Sequence, residues 1–284
     1  TVKGFDEDFP GIWARKNHTL TIKGTGSLVA SSNGWGAGIG GGGATTFGNI
    51  RIEGGNITAT GGTNCAGIGA GGYDGGDITI TGGYIEATGY EGGAGIGGGY
   101  DANCGDIIIG GGTITATGGD NGAGIGAGYL GTCGNITISD GSITANGGFD
   151  GAGIGIGDDA KCGNISISGG TIEAKGIRNG AGIGCSGQGT CGNIEITSDI
   201  TQVTATKGDN SSHSIGFGLI EGDDDYIVCG TVKFGDVIMY NHNDQSWITT
   251  PIESGTYGGL SLTITTTTNT NPNDTWTLTP SVAP

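Results

Sequence analysis

The sequence predicts an all-β chain folded as a right-handed parallel β-helix, a solenoid in which successive turns of the backbone stack on one another. Two observations support this prediction. The motif GAGIG recurs along the 284-residue chain, and short stretches with apolar residues at alternate positions separate its copies. These stretches have the two-residue period of a β-strand, and nothing in the repeats has the period of a helix.

The repeat length is about 29 residues. The motif occurs five times as GAGIG and once as CAGIG, beginning at Cys65. Its isoleucines are separated by 29, 28, 29, 29 and 29 residues, and a degenerate copy follows 32 residues later at Ile215; the six are Ile39, Ile68, Ile96, Ile125, Ile154 and Ile183. One unit, residues 133–160, has three strand-like pieces at 136–138, 143–145 and 152–154, separated by the turn residues Gly, Asn and Asp. We therefore expect about seven coils over residues 18–218, each with three strands, forming a rod roughly 34 Å long at about 4.8 Å per coil. Right-handed coiling is the usual choice for parallel crossovers.

Stacked coils should place equivalent side chains in columns. The isoleucines at 107, 136 and 165 and those at 114, 143 and 172 are expected to form the core. In GAGIG, alternation turns Ala and Ile inward and the glycines outward. Two interpretations follow: the glycines mark a bend or a closely packed layer, or they leave a wall of bare backbone open to a protein partner.

The ends of the chain break the repeat and are expected to protect the open edges of the β-helix. Residues 1–17 are interpreted as an N-terminal cap. Residues 219–284 are interpreted as an atypical last coil, around 226–240, and a Thr-rich tail, around 260–280. This tail either packs on the β-helix as a C-terminal cap or forms a small separate β-subdomain. We favour the cap.

Cysteine and asparagine recur with the same period. Cys104, Cys133, Cys162 and Cys191 should stack with parallel Cβ directions, which suits a ladder of buried thiols better than disulfides. The sequence leaves the state of Cys65, Cys185 and Cys229 open. Two residues after the cysteine position, a column of amide and carboxyl side chains should hydrogen-bond along the stack; its members are Asn49, Asp77, Asp106, Asn135, Asn164 and Asn193.

Composition excludes two classes of function. The formal charge is −17 with only ten Lys and Arg residues, so nucleic acid is not an expected partner. No apolar run reaches the length of a membrane span. We expect an extracellular or cell-surface protein whose secretory signal has been removed.

The turns after GAGIG hold the candidate binding residues. Tyr73, Tyr100 and Tyr129 follow successive copies and are expected near one ridge, where aromatic faces suit sugar rings. Carboxylates that could bind sugar hydroxyls or calcium accompany them at Asp74, Asp101, Asp158 and Asp159. The alternative is that these are ordinary turn residues. A weaker candidate for a cation site is the run Asp223, Asp224 and Asp225, whose alternative is a solvated loop. No cofactor is certain.

Catalysis is less favoured than binding. Glu86 and Glu173 share an outward column but lie three coils apart, about 14 Å, beyond the roughly 5–9.5 Å separation of glycosidase carboxyl groups. Only carboxylates at the turns, such as Asp74 and Asp101, could come closer. Whether the chain is an enzyme stays open at this point.

The repeats, with AGIG followed by CGNITI, resemble β-helix repeats of secreted or surface proteins from anaerobic bacteria. They are more distantly similar to a calcium-containing β-helix family that binds polygalacturonate. The resemblance implies an extracellular module that contacts carbohydrate, such as a polysaccharide or a host-cell glycan, or mediates adhesion. A polysaccharide-degrading enzyme and a purely structural stalk are the alternatives.

Overall fold

The computed structural model describes residues 1–4, 8–218, 228–249, 251–266 and 274–281. Within these residues the chain is all-β and contains no helix. It forms a parallel β-solenoid of about seven turns of roughly 29 residues, which confirms the predicted fold class. No helix in the described ranges has the length and apolar character needed to span a membrane.

Two long walls of the solenoid are joined by two strands that run through both of them, Ile107–Thr117 and Ile136–Asn146. The strands of the first wall are Thr19–Ile22, Asn49–Ile52, Ile78–Ile80, the first part of Ile107–Thr117 and of Ile136–Asn146, Ile165–Ile167, Ile194–Ile196 and Val232–Phe234. The strands of the second wall are Val2–Lys3, Ser27–Ser31, Asn56–Thr60, Tyr84–Thr88, the later part of the same two long strands, Thr171–Lys175 and Gln202–Thr206. Both walls are parallel from coil to coil.

Two narrower walls complete each coil. The third wall, formed by the GAGIG motif, consists of Ile12–Trp13, Ile39–Gly40, Ile68–Gly69, Ile96–Gly97, Ile125–Gly126, Ile154–Gly155, Ile183–Gly184 and Ile215–Gly216. A fourth wall, which the three-strand prediction lacks, consists of Thr132–Cys133, Lys161–Cys162, Thr190–Cys191 and Val228–Cys229. The cysteine ladder is therefore itself a short parallel sheet.

Register is strict, because each residue pairs with its counterpart one repeat away. Ile107 pairs with Ile136 and Ile136 with Ile165, while Ile125 pairs with Ile154. The predicted columns of isoleucine are buried, including Ile114, Ile143 and Ile172. Full burial of such a side chain contributes about 1.5–3 kcal/mol, so the columns account for most of the apolar stabilisation of the rod.

The GAGIG motif is a closely packed bend, and its glycines do not face solvent. All five residues of each copy are buried. In the copy at 122–126, the Ala123 N–H donates to the Ala127 carbonyl at 3.1 Å, which closes the bend. A Cβ added at Gly124 would lie 2.7 Å from the Asn146 carbonyl oxygen of the next coil. The first interpretation of the motif is confirmed, and the prediction that the glycines form a bare outer wall is wrong, because they are buried. A protein partner stays a prediction.

The two ladders predicted from the sequence are present. All seven cysteines are buried and free, including Cys65, Cys185 and Cys229. In the amide column, the Asn135 Oδ1 accepts the Asn164 N–H at 2.9 Å, and the Asn164 Oδ1 accepts the Asn193 N–H at 2.9 Å. One side-chain oxygen per coil thus satisfies a backbone donor of the next coil.

The N-terminal segment contributes strands to the solenoid before residue 18. Val2–Lys3 pairs in parallel with Ser27–Ser31, and Ile12–Trp13 pairs in parallel with Ile39–Gly40. The segment therefore extends the second and third walls by one rung. The domain boundary at residues 17 and 18 stays a prediction.

The C-terminal strands pack directly on the end of the solenoid. After Val232–Phe234, the chain continues through the antiparallel strands Val237–Asn241, Ser246–Trp247, Gly255–Tyr257, Leu260–Thr266 and Asp274–Pro280. The last of these pairs antiparallel with Gln202–Thr206, the final strand of the second wall. An antiparallel strand ends the parallel stack, because it occupies the edge that another coil would need.

Glycine at the bend is expected to be essential for stacking. Gly126 has φ 134°, and a Cβ there would lie 1.9 Å from the Gly155 carbonyl oxygen. We expect Gly126→Ala to lower the free energy of unfolding by at least about 3 kcal/mol, measured by urea denaturation followed by circular dichroism.

Gly110→Ala is the matched control. Gly110 is exposed, and its added Cβ would meet nothing nearer than 3.7 Å, so a change within about 0.5 kcal/mol is expected. Equal stability of the two variants would contradict the bend described here.

Candidate functional site

The turns after the third wall bring two of the three candidate tyrosines together. Tyr100, Tyr129 and Asp158 each lie four residues after a motif isoleucine, on successive coils. The Asp101 N–H donates to the Tyr129 carbonyl at 2.8 Å, which holds adjacent turns in register. The rings of Tyr100 and Tyr129 lie 5.4 Å apart between centroids, tilted by 55°. They form a continuous aromatic surface across two coils.

The next position along each turn adopts a left-handed backbone. Asp101, Leu130 and Asp159 have φ values of 47°, 58° and 51°. Aspartate tolerates this region, whereas leucine there is strained and is 41% exposed. Leu130 could not be predicted as a site residue from the sequence, because an isolated leucine in a turn gives no chemical signal. We call these three residues with Tyr100, Tyr129 and Asp158 the tyrosine ridge.

Tyr73 and Asp74 do not join the ridge, which corrects the predicted three-tyrosine arrangement. Tyr73 lies five residues after its motif isoleucine, Ile68, whereas Tyr100 lies four residues after Ile96. The Asp74 Oδ1 accepts the Asn103 N–H at 2.9 Å, so this carboxylate is part of a structural ladder. Among the described residues, Tyr73 makes no ring contact with Tyr100 and stays exposed.

Burial and neighbouring charge raise the pKa values of groups at the end of the ridge that holds Asp158 and Asp159, its acidic end. Desolvation, with smaller contributions from Asp159 and Asp150, raises the pKa of Asp158 to about 6. Burial also raises the pKa of Asp159. The pKa of Tyr129 is raised by desolvation first and then by Asp159, Asp158 and Tyr100. Two carboxyl groups and two phenols therefore share one electrostatic environment.

An ion pair between the buried Asp150 and the exposed Arg178 lies near Asp158 and Asp159, at the acidic end of the ridge. The Asp150 Oδ2 accepts a hydrogen bond from the Arg178 Nη1 at 2.9 Å, while its Oδ1 has no partner within the described residues. The Asp150 backbone carbonyl accepts the Ser186 hydroxyl. The Arg178 guanidinium also lies 4.9 Å from the centroid of the Phe149 ring. The pair was missed, although its 28-residue spacing is about one repeat.

The remaining sequence candidates do not assemble into a site. The register places Glu86 beside Thr115, Thr115 beside Thr144 and Thr144 beside Glu173, so the two glutamates are three coils apart as predicted. In the part of the chain that the structure describes, no group of three or more His, Cys, Asp or Glu residues is arranged to hold a metal ion. Asp223, Asp224 and Asp225 lie outside the described residues.

Comparison with known proteins agrees with the architecture. A family model described as a beta helix repeat matches six segments, which are residues 20–43, 50–72, 78–100, 107–129, 136–155 and 165–187. This chain is a parallel β-helix repeat protein. Neither the curated proteins nor the solved structures provide a significant match. For a β-helix repeat protein the family defines the scaffold, and function must be argued from its side chains.

The raised pKa of Asp158 predicts a pH-dependent effect on stability. Because the folded state holds this proton more tightly, the ionised carboxylate destabilises the fold as pH rises from about 4 to above 6. Asp158→Asn should therefore raise the free energy of unfolding at pH 7 by about 1 kcal/mol after solvent screening, and change it little at pH 4. Urea denaturation at the two pH values measures this.

The exposed carboxylate Asp101 provides the control, since Asp101→Asn should change stability little at either pH. If Asp158→Asn shifted stability equally at pH 4 and pH 7, the electrostatic description of the ridge would be wrong.

Proposed function

We propose that this β-helix repeat protein is a non-catalytic carbohydrate-binding module that acts outside the cell or at the cell surface. The observation that carries the proposal is the contact between the exposed Tyr100 ring and the half-buried Tyr129 ring, with centroids 5.4 Å apart and two carboxyl groups beside them. An aromatic surface next to hydrogen-bond acceptors is the usual chemistry of a sugar-binding site.

The ridge suits an extended neutral glycan. Tyr100 and Tyr129 lie on adjacent coils, about 4.8 Å apart along the rod, so a glycan lying along the axis meets one ring after another. Asp158 and Asp159 can accept hydrogen bonds from sugar hydroxyls. Their negative charge, added to the −17 of the chain, disfavours uronic-acid polymers unless a cation such as calcium bridges them.

An extracellular setting and an adhesive role belong to the same proposal. They are supported by the resemblance of the repeats to those of surface proteins and by a scaffold compatible with carbohydrate binding. The expected partners are polysaccharides or host-cell glycans. The ten Lys and Arg residues among 284 give no basis for nucleic-acid binding.

A polysaccharide-degrading enzyme is the second candidate, and one observation favours it. Desolvation raises the pKa of Asp158 to about 6, and a carboxyl group with a raised pKa is what a glycosidase uses as its general acid. Against it, Asp150 is buried and bound to Arg178, so it is not free to act on a substrate. A structural stalk is the third candidate.

Glycan-array binding with and without calcium tests the proposal. We expect neutral glycans to bind without calcium and Tyr100→Ala to weaken that binding at least tenfold, because stacking on a sugar ring is lost. Tyr84→Ala is the matched control, since Tyr84 is an exposed tyrosine on the second wall, away from the ridge, and should leave binding unchanged.

Other outcomes would overturn the proposal in distinct ways. The absence of binding to every glycan on the array would favour the structural stalk. Binding only to acidic glycans with calcium would replace the neutral ligand by a metal-bridged one. Release of reducing sugar from a polysaccharide panel, lost in Asp158→Asn, would establish the enzyme instead.

A further inference from the structure

The last coil departs from the GAGIG sequence. Residues 212–216 read SHSIG, and the pairing of Ile183 with Ile215 puts His213 in the position of Ala181 and Ser214 in that of Gly182. In the preceding coil these positions are confined, because a Cβ at Gly182 would lie 2.7 Å from the Thr206 amide nitrogen. The C-terminal strands cover the last coil, so larger side chains fit there.

An aromatic cluster covers the third wall at this end. Trp247 stacks on His213 with ring centroids 4.4 Å apart, and Trp276 meets Trp247 edge-on at 6.0 Å. Tyr240 also contacts Trp247 at 5.1 Å. Trp276 is buried, whereas Trp247 remains partly exposed despite these three contacts. Part of the Trp247 indole is therefore available to a ligand.

A pocket of about 220 Å³ adjoins this cluster. The two indoles and the His213 ring form one part of its lining, and three aliphatic side chains form another. The polar residues of its lining are Ser212, Thr249, Asp274 and His213, and the buried Nδ1 of His213 has no hydrogen-bond partner within the described residues. The Asp274 Oδ1 accepts the Thr266 hydroxyl at 2.7 Å, which leaves Oδ2 without a partner in the described residues.

We propose that this pocket binds a single neutral sugar ring. Its volume is below the roughly 300–1,000 Å³ of pockets for drug-sized ligands, so it holds one ring and not an extended chain. The indoles meet the apolar face of the ring, while two hydroxyls and a carboxylate meet its hydroxyl groups. The pocket shares no residue with the tyrosine ridge, so either site can fail without the other.

The charges around the pocket favour a neutral ligand. Desolvation and Lys207 lower the pKa of His213 to about 4, opposed by Asp274, so the imidazole is uncharged at neutral pH. Asp274 then supplies a negative charge at the lining, which repels acidic sugars. A small cation is the competing ligand class, because aromatic rings beside a carboxylate also suit a quaternary ammonium group.

Tryptophan fluorescence on the full chain tests the proposal. The probes are the methyl glycosides of glucose, galactose and mannose, N-acetylglucosamine, and tetramethylammonium chloride. We expect at least one sugar to change the emission saturably in the millimolar range. Asp274→Asn should weaken its binding at least fivefold, and Trp247→Ala should abolish it.

Matched variants keep the result interpretable. Trp35→Ala removes an exposed tryptophan near the N-terminal end and should leave sugar binding unchanged. Tyr100→Ala should leave it unchanged as well, which separates this pocket from the ridge. Because Trp247→Ala can loosen the packing of the C-terminal strands, Thr249→Val serves as a second variant that removes one hydroxyl with little change in shape.

Three results would overturn the proposal. The first is the absence of a saturable change with every sugar up to about 100 mM, a concentration far above millimolar affinity. The second is saturation by tetramethylammonium alone, which would identify a cation site. The third is sugar binding that persists unchanged in both Asp274→Asn and Thr249→Val.

Discussion

The structure depends on one constraint, which is that every coil must lie directly on the previous one at the spacing of two hydrogen-bonded strands. Equivalent residues of adjacent coils then meet in pairs, as Ile125 meets Ile154. Where a bend turns a carbonyl oxygen back toward the preceding coil, that coil cannot accommodate a Cβ, as at Gly126, where it would lie 1.9 Å from the Gly155 oxygen. The unusual content of 69 glycines follows largely from this requirement. The isoleucine columns and the amide ladder are the favourable consequences of the same register.

The constraint also decides where the chain is free to vary. Residues inside the rod or within a ladder are committed to their neighbours, as Asp74 is through its hydrogen bond to the next coil. Side chains at the turn tips and at the two ends of the rod are less constrained. The tyrosine ridge lies on the tips, and the aromatic pocket lies at the C-terminal end, where strands of different sequence cover the last coil. Both proposed sites are therefore found where stacking no longer dictates the side chain.

The repeat period was enough to predict the coil number, the buried isoleucines, the thiol ladder and the amide ladder, because each depends only on spacing. The prediction that the GAGIG glycines face outward was wrong. Alternation of inward and outward residues assumes an extended strand, and this segment bends, with φ 134° at Gly126. Tyr73 was misplaced because it lies one position further along its turn than Tyr100 and Tyr129 do. The Asp150–Arg178 pair could have been predicted from its spacing of about one repeat. The contact of His213 with Trp247 could not, because Trp247 lies in the C-terminal strands, outside the repeats.

Hydrogen–deuterium exchange with and without a bound glycan tests the central claim most directly, which is that a rigid repeat carries its ligand on the turn tips. The ligand is the neutral oligosaccharide that binds most strongly on the array. The account predicts added protection in the turns around residues 99–102, 128–131 and 157–160, with the strands of the first and second walls unchanged. Protection confined to the outer faces of those walls, with none at the three turns, would contradict it.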